Sequence, residues 1–139
     1  MDALHNAALL LALFLTGMAI GWTTLFSFVV APVSFKDMDY GRADRHLRRV
    51  IKSGHLTLAL LCFGVGVFAL IAGALAGAVI AALTASFYLM CRWTLAPRED
   101  HTIPGMRRNM KQQRVVASML TAAGIPLMAT AGVLAILGI

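Results

Sequence analysis

Charge is scarce in this chain. Only 13% of its 139 residues are Asp, Glu, Lys or Arg, while 60% are hydrophobic. A soluble domain carries about 25% charged and about 45–50% apolar residues. The deficit is too large for a surface that faces water, and the mean hydropathy of +0.81 agrees. A soluble enzyme and a disordered tail are excluded on this ground. With only two cysteines, a disulfide-rich secreted scaffold is excluded too. What remains is a single polytopic membrane domain over residues 1–139. Such a sequence specifies architecture better than activity.

The few charges are unevenly placed. Residues 3–35, 53–91 and 115–139 contain none. A helix rises about 1.5 Å per residue, so about 20 apolar residues cross a bilayer core. The first and third blocks each hold one span. The second would be about 58 Å long as one helix, nearly twice the membrane, so it folds back on itself. Gly73-Ala74-Leu75-Ala76-Gly77 is the natural turn. The reading is all-α, with four transmembrane helices at about residues 6–31, 54–72, 77–95 and 114–137. The blocks lack the alternation of barrel strands.

All twelve basic residues lie between these blocks. Lys36, Arg42, Arg45, Arg48, Arg49 and Lys52 occupy the first loop, and Arg92, Arg98, Arg107, Arg108, Lys111 and Arg114 the other. The positive-inside bias puts both loops in the cytoplasm and both termini outside. The net charge of +6 is accounted for by this topology and by anionic lipids, with Arg45, Arg48, Arg49, Arg107, Arg108 and Lys111 at the headgroups. Nucleic acid is not an expected partner. The start, Met1-Asp2-Ala3-Leu4-His5, lacks the basic region of a signal peptide, so the first span is expected to remain as a helix.

Ala43, Leu47, Val50 and Ile51 recur on one helical face, with the arginines mostly elsewhere. The second helix is therefore expected to project as an amphipathic extension. Met106, Met110 and Ala117 make a weaker stripe. Packing of the two stripes on each other and on headgroups is the expectation. Val30-Ala31-Pro32 and Leu95-Ala96-Pro97 end the first and third helices alike. Two hairpins related by an axis along the membrane normal are one reading. Coincidence of two prolines at helix ends is the other.

Small residues let membrane helices approach closely. Gly17 and Gly21 form a GxxxG pair, and their spacing predicts close packing on another helix of the chain. Thr16, Thr23 and Ser27 share one side and are expected to bond backbone carbonyls or a neighbour. Pro126 should bend the last helix, eased by Gly124.

No Asp, Glu, Lys or Arg falls in mid-membrane, which argues against a proton-coupled pump acting alone. His5, His46, His55 and His101 offer no facing pair at one depth, so haem is not expected. Cys62 and Cys91 lie on neighbouring antiparallel helices, with His55 two turns from Cys62 and Met90 beside Cys91. Soft ligands of this kind suit Cu(I), and His55, Cys62 and Cys91 are the candidate metal ligands. Apolar packing of the thiols is the stronger alternative. A disulfide is not expected in the cytoplasmic half. Asp37, Asp39, Asp44, Glu99, Asp100, His46 and His101 are expected to pair with basic residues rather than hold a hard metal. No nucleophile motif, phosphate loop or paired carboxylates stand in the chain, so neither an enzyme nor a cofactor is expected.

The stretch Gly21 to Phe35 reads glycine, then aromatic and apolar residues, then Ala31-Pro32-Val33-Ser34-Phe35. It resembles the small membrane proteins similar to transmembrane protein 205, whose bacterial members are classed as a domain of unknown function. Trp93-Thr94-Leu95-Ala96-Pro97 looks similar. Gly21, Ala31, Pro32, Phe35 and Pro97 carry the resemblance. It implies the same four-helix layout and hints at soft-metal or drug handling. The expected location is the bacterial inner membrane. The expected role is a non-enzymatic scaffold or modulator, with other membrane proteins or a second copy as partners. The alternative is a carrier of a soft metal or an apolar small molecule.

Overall fold

A computed structural model describes residues 2–37, 40–95 and 107–139, with side chains for 3–34, 36–37, 42–43, 45–93 and 119–139. The described residues are almost wholly helical, with no strand among them. Helix α1 runs Asp2–Leu25, continues through a π turn at Phe26–Val30, and resumes as α2 at Ala31–Asp37. Helix α3 is Tyr40–Ile71, α4 is Leu75–Leu95 and α5 is Arg107–Leu137. Four segments among the described residues are long and apolar enough to cross a membrane: Ala3–Ser34, Arg45–Ile71, Leu75–Trp93 and Met119–Leu137.

The helices form a closed four-membered ring. α1 packs on α3 and α5, and α4 packs on the same two. At one end, Leu9 meets Ala69, Ala74, Ala78 and Ala135. At the other, Phe26 and Ala31 meet Leu47 and Ile51. The second, basic, end is where Lys36, Arg42–Lys52 and Arg92 lie. Successive spans therefore alternate in direction.

The reversal between α3 and α4 is a Schellman turn. Gly73 adopts φ +75°, its N–H donates to Leu70 O at 2.9 Å, and Ala74 N–H donates to Ala69 O at 2.9 Å. Only glycine takes that conformation without strain, and the two bonds satisfy carbonyls the helix end leaves open. α5 ends the same way: Gly138 has φ +69°, and Ile139 N–H donates to Leu134 O at 3.1 Å. The Ile139 carbonyl then accepts from Gly77 N–H at 3.1 Å, a donor in the first turn of α4 that has no partner within its own helix.

The sequence reading needs correction at several glycines and at one proline. Gly77 lies within α4, not in the turn. A Cβ there would stand 3.1 Å from Ala135 N and 3.2 Å from Ala131 O, so its lack of a side chain lets α4 and α5 touch backbone to backbone. Gly17 and Gly21 are exposed, with no neighbour within 4 Å of a Cβ built on either. They do not pack on another helix of this chain. Pro32 does not end the first helix. Having no N–H, it breaks the ordinary ladder, and the chain accommodates it with the preceding π turn, in which Ala31 N–H reaches Phe26 O. Pro126 sits inside α5, which continues through it.

The amphipathic extension is present. Ala43, Leu47 and Ile51 are buried, and α3 is helical through the whole basic segment. This stripe packs on Phe26, Val30 and Ala31. The second stripe, and Pro97 with its share of the internal repeat, lie outside the described residues or side chains.

Candidate functional site

The centre of the bundle holds a polar cluster built around Tyr88. Its side chain is fully buried (0% exposed), and His55 beside it is 2% exposed. Thr84 precedes Tyr88 by one turn on the same buried face of α4 and bonds Ile80 O at 2.7 Å. A phenol in this position needs a hydroxyl partner. Thr23 of α1 supplies it at 3.3 Å, across the diagonal of the ring. Thr23 also donates to Ala19 O at 2.7 Å. Its hydroxyl therefore accepts from Tyr88.

The second diagonal joins α3 to α5. His55 Nδ1 lies 3.1 Å from Ile51 O. A carbonyl can only accept, so Nδ1 carries the proton and Nε2 is left as an acceptor. Thr121 Oγ1 stands 3.2 Å from Nε2 and donates to it. Two turns further along α3, Cys62 directs its thiol to Met128 Sδ at 3.2 Å. The His55 and Tyr88 rings meet edge to face, with centroids 5.7 Å apart. Both diagonals are thus pinned at neighbouring levels.

Gly124 makes this arrangement possible. A Cβ there would collide with the Tyr88 hydroxyl and ring. The residue beside Pro126 is therefore an opening for the phenol, and not simply relief for a bend. Ser27 departs from its helix-mates. Thr16 bonds Ala12 O at 2.8 Å and Thr23 bonds as above, but the buried Ser27 hydroxyl has no hydrogen-bond partner among the described residues. It sits in the π turn, where the wider spiral shifts the carbonyl that an α-helical serine would reach.

The sequence-derived candidates divide accordingly. His55, Cys62 and Cys91 are all buried, and neither cysteine is in a disulfide. Yet no group of three or more His, Cys, Asp or Glu side chains that could hold a metal occurs among the described residues. The three are not brought together as one ligand set, because His55 is held by Ile51 and Thr121 and Cys62 by Met128. Met90 is 65% exposed and faces outward. Asp39, Glu99, Asp100 and His101 lie outside the described residues, as does the side chain of Asp44.

Of the headgroup residues, Arg45 and Arg49 are exposed and Arg48 is half-buried. Arg107 opens α5, but its side chain and those of Arg108 and Lys111 lie outside the described ones. Of the motif residues, Ala31 is buried while Gly21 and Pro32 are exposed. The Phe35 side chain and Pro97 are not among those described.

Sequence reasoning missed Tyr88, Thr121, Met128 and the purpose of Gly124. A signal for the first was present: Tyr88 stands in an uncharged block, and a phenol in a membrane core demands a partner. Comparison with protein-family models, with curated proteins and with solved structures returned no match.

Proposed function

We propose that the chain is a non-enzymatic membrane scaffold or modulator of the bacterial inner membrane, with its basic end cytoplasmic and both termini outside. One observation carries the reading. The polar side chains at the centre are spent on one another, across both diagonals of the ring. Such groups pin four helices in one register, and little hydrogen-bonding capacity is left for a substrate. What the molecule offers to others is its outer faces, which expose Phe14, Leu60, Leu83 and Val133. The Gly21–Phe35 segment supports a relationship to the proteins similar to transmembrane protein 205, and the same layout would follow from it.

A photoreactive residue at Phe14, Leu60, Leu83 or Val133, in the full chain in native membranes, tests the scaffold. A discrete protein adduct recurring from one face is expected. Lipid adducts alone at all four positions would overturn the reading.

The Cys62–Met128 pair favours a second reading, a soft-metal carrier. Two sulfur donors at 3.2 Å offer Cu(I) a start. Metal binding by the purified chain separates the two.

A further inference from the structure

Where α1 and α3 cross near the basic end, the bundle surface is indented. The cleft is a shallow, half-open groove of about 30 Å³, lined by Trp22, Leu25, Phe26, Val30 and Val50. Every lining residue is apolar or aromatic. The cleft has a structural cause. The π turn adds a residue to the helical spiral at Phe26–Val30, which offsets the residues after it from those before it. Phe26 is turned inward and buried, while Trp22 and Leu25 remain exposed at the rim. Trp22 lies over Gly54, whose Cβ position is 3.2 Å from the indole Nε1.

The seam opens outward between two membrane spans, so its occupant comes from the bilayer. Its level fixes which part of a lipid it meets. Val50 belongs to the stretch where the arginines of α3 begin, and Trp22 and the 89%-exposed Trp93 suit an interfacial belt. On α3, Arg42, His46, Arg49 and Ser53 follow one another along the flank next to Val50, by helical spacing. All four are exposed. Apolar walls below and two arginines above match an acyl chain below and a phosphate above.

We propose that this cleft binds one anionic phospholipid, with an acyl chain between Trp22, Val30 and Val50 and its headgroup on Arg42 and Arg49. The lipid is then a fixed component of the bundle that fills the seam the π turn opens. This goes beyond the scaffold reading and needs only that the basic end lies at a headgroup layer, on either side of the membrane.

The test uses the full chain in vesicles of phosphatidylcholine doped with phosphatidylglycerol, followed by mild extraction and mass measurement of intact protein–lipid complexes. One phosphatidylglycerol per chain is expected to be retained in preference to phosphatidylcholine. Arg42→Gln and Arg49→Gln should each reduce that preference about fivefold. Both side chains are exposed, so neither change threatens folding. Val50→Trp should fill the cleft and abolish retention of either lipid, while Leu60→Trp on another face should not. Equal retention of the two lipids by the native chain would overturn the proposal. So would unchanged retention in folded Val50→Trp protein. Neither result bears on the adducts that test the scaffold.

Discussion

Tyr88 packs directly against Gly124 in the bundle centre. The phenol occupies the place where any other residue at 124 would put a Cβ. Gly124→Ala should therefore cost about 1–3 kcal/mol, the usual range for overpacking, read as a lower thermal midpoint in detergent. The double variant Tyr88→Leu with Gly124→Ala should lose less than the sum of the two single changes, because the clash is shared. A strictly additive pair would show that the contact is not made. Thr121 provides a polar counterpart. Removing its hydroxyl leaves His55 Nε2 without a donor, and Thr121→Val should cost about 1 kcal/mol, as interhelical bonds in membranes do. Thr57 bonds Ser53 O in its own helix and is exposed, so Thr57→Val should leave the midpoint where it is.

At the scale of the helix, the spans were legible in the sequence and their facing was not. The three uncharged blocks mark where the spans lie, because burying a charge in hydrocarbon is costly. That rule, with the length of the second block and its glycine turn, located all four, and the stripe of Ala43, Leu47, Val50 and Ile51 predicted the helical basic segment that opens α3. Inside the bilayer the rule falls silent. Lipid is as apolar as the core, so the inward and outward faces of a span carry the same residue types. Gly17 and Gly21 have the same spacing as Gly73 and Gly77, yet the first pair is exposed, Gly73 makes the turn and Gly77 packs against α5. The π turn was hidden for another reason: Pro32 reads as a helix end until the backbone shows the chain passing through it. Gly77→Leu should thus disrupt the α4–α5 contact and lower the midpoint by several degrees. Gly17→Leu and Gly21→Leu should leave it unchanged in detergent. Destabilisation by either of the latter, with none from Gly77→Leu, would refute this assignment of faces.

For the molecule as a whole, the arrangement of charge and the arrangement of polar groups answer different questions. Charge sets orientation. A reporter fused after Ile139 should be active on the side away from the cytoplasm, and activity only in the cytoplasm would reverse the proposed topology. The candidate site was half legible. His55 and Cys62 were found by residue type, but their partners Thr121 and Met128 were not, since those contacts cross the ring between helices 66 residues apart in the chain. Those partners change what the site is for. His55, Cys62 and Tyr88 are each held by a side chain from another helix, and on the proposed scaffold reading the centre is a fastening and the outer faces do the binding.

Titration of the purified chain with Ag(I), a redox-inert stand-in for Cu(I), tests that claim most directly. A closed structural centre predicts no saturable binding near one equivalent, and the same flat response from the Cys62→Ala, Cys91→Ala double variant. One tightly bound equivalent in the native chain, lost in the double variant, would contradict it and make Cys62 and Met128 the core of a soft-metal site.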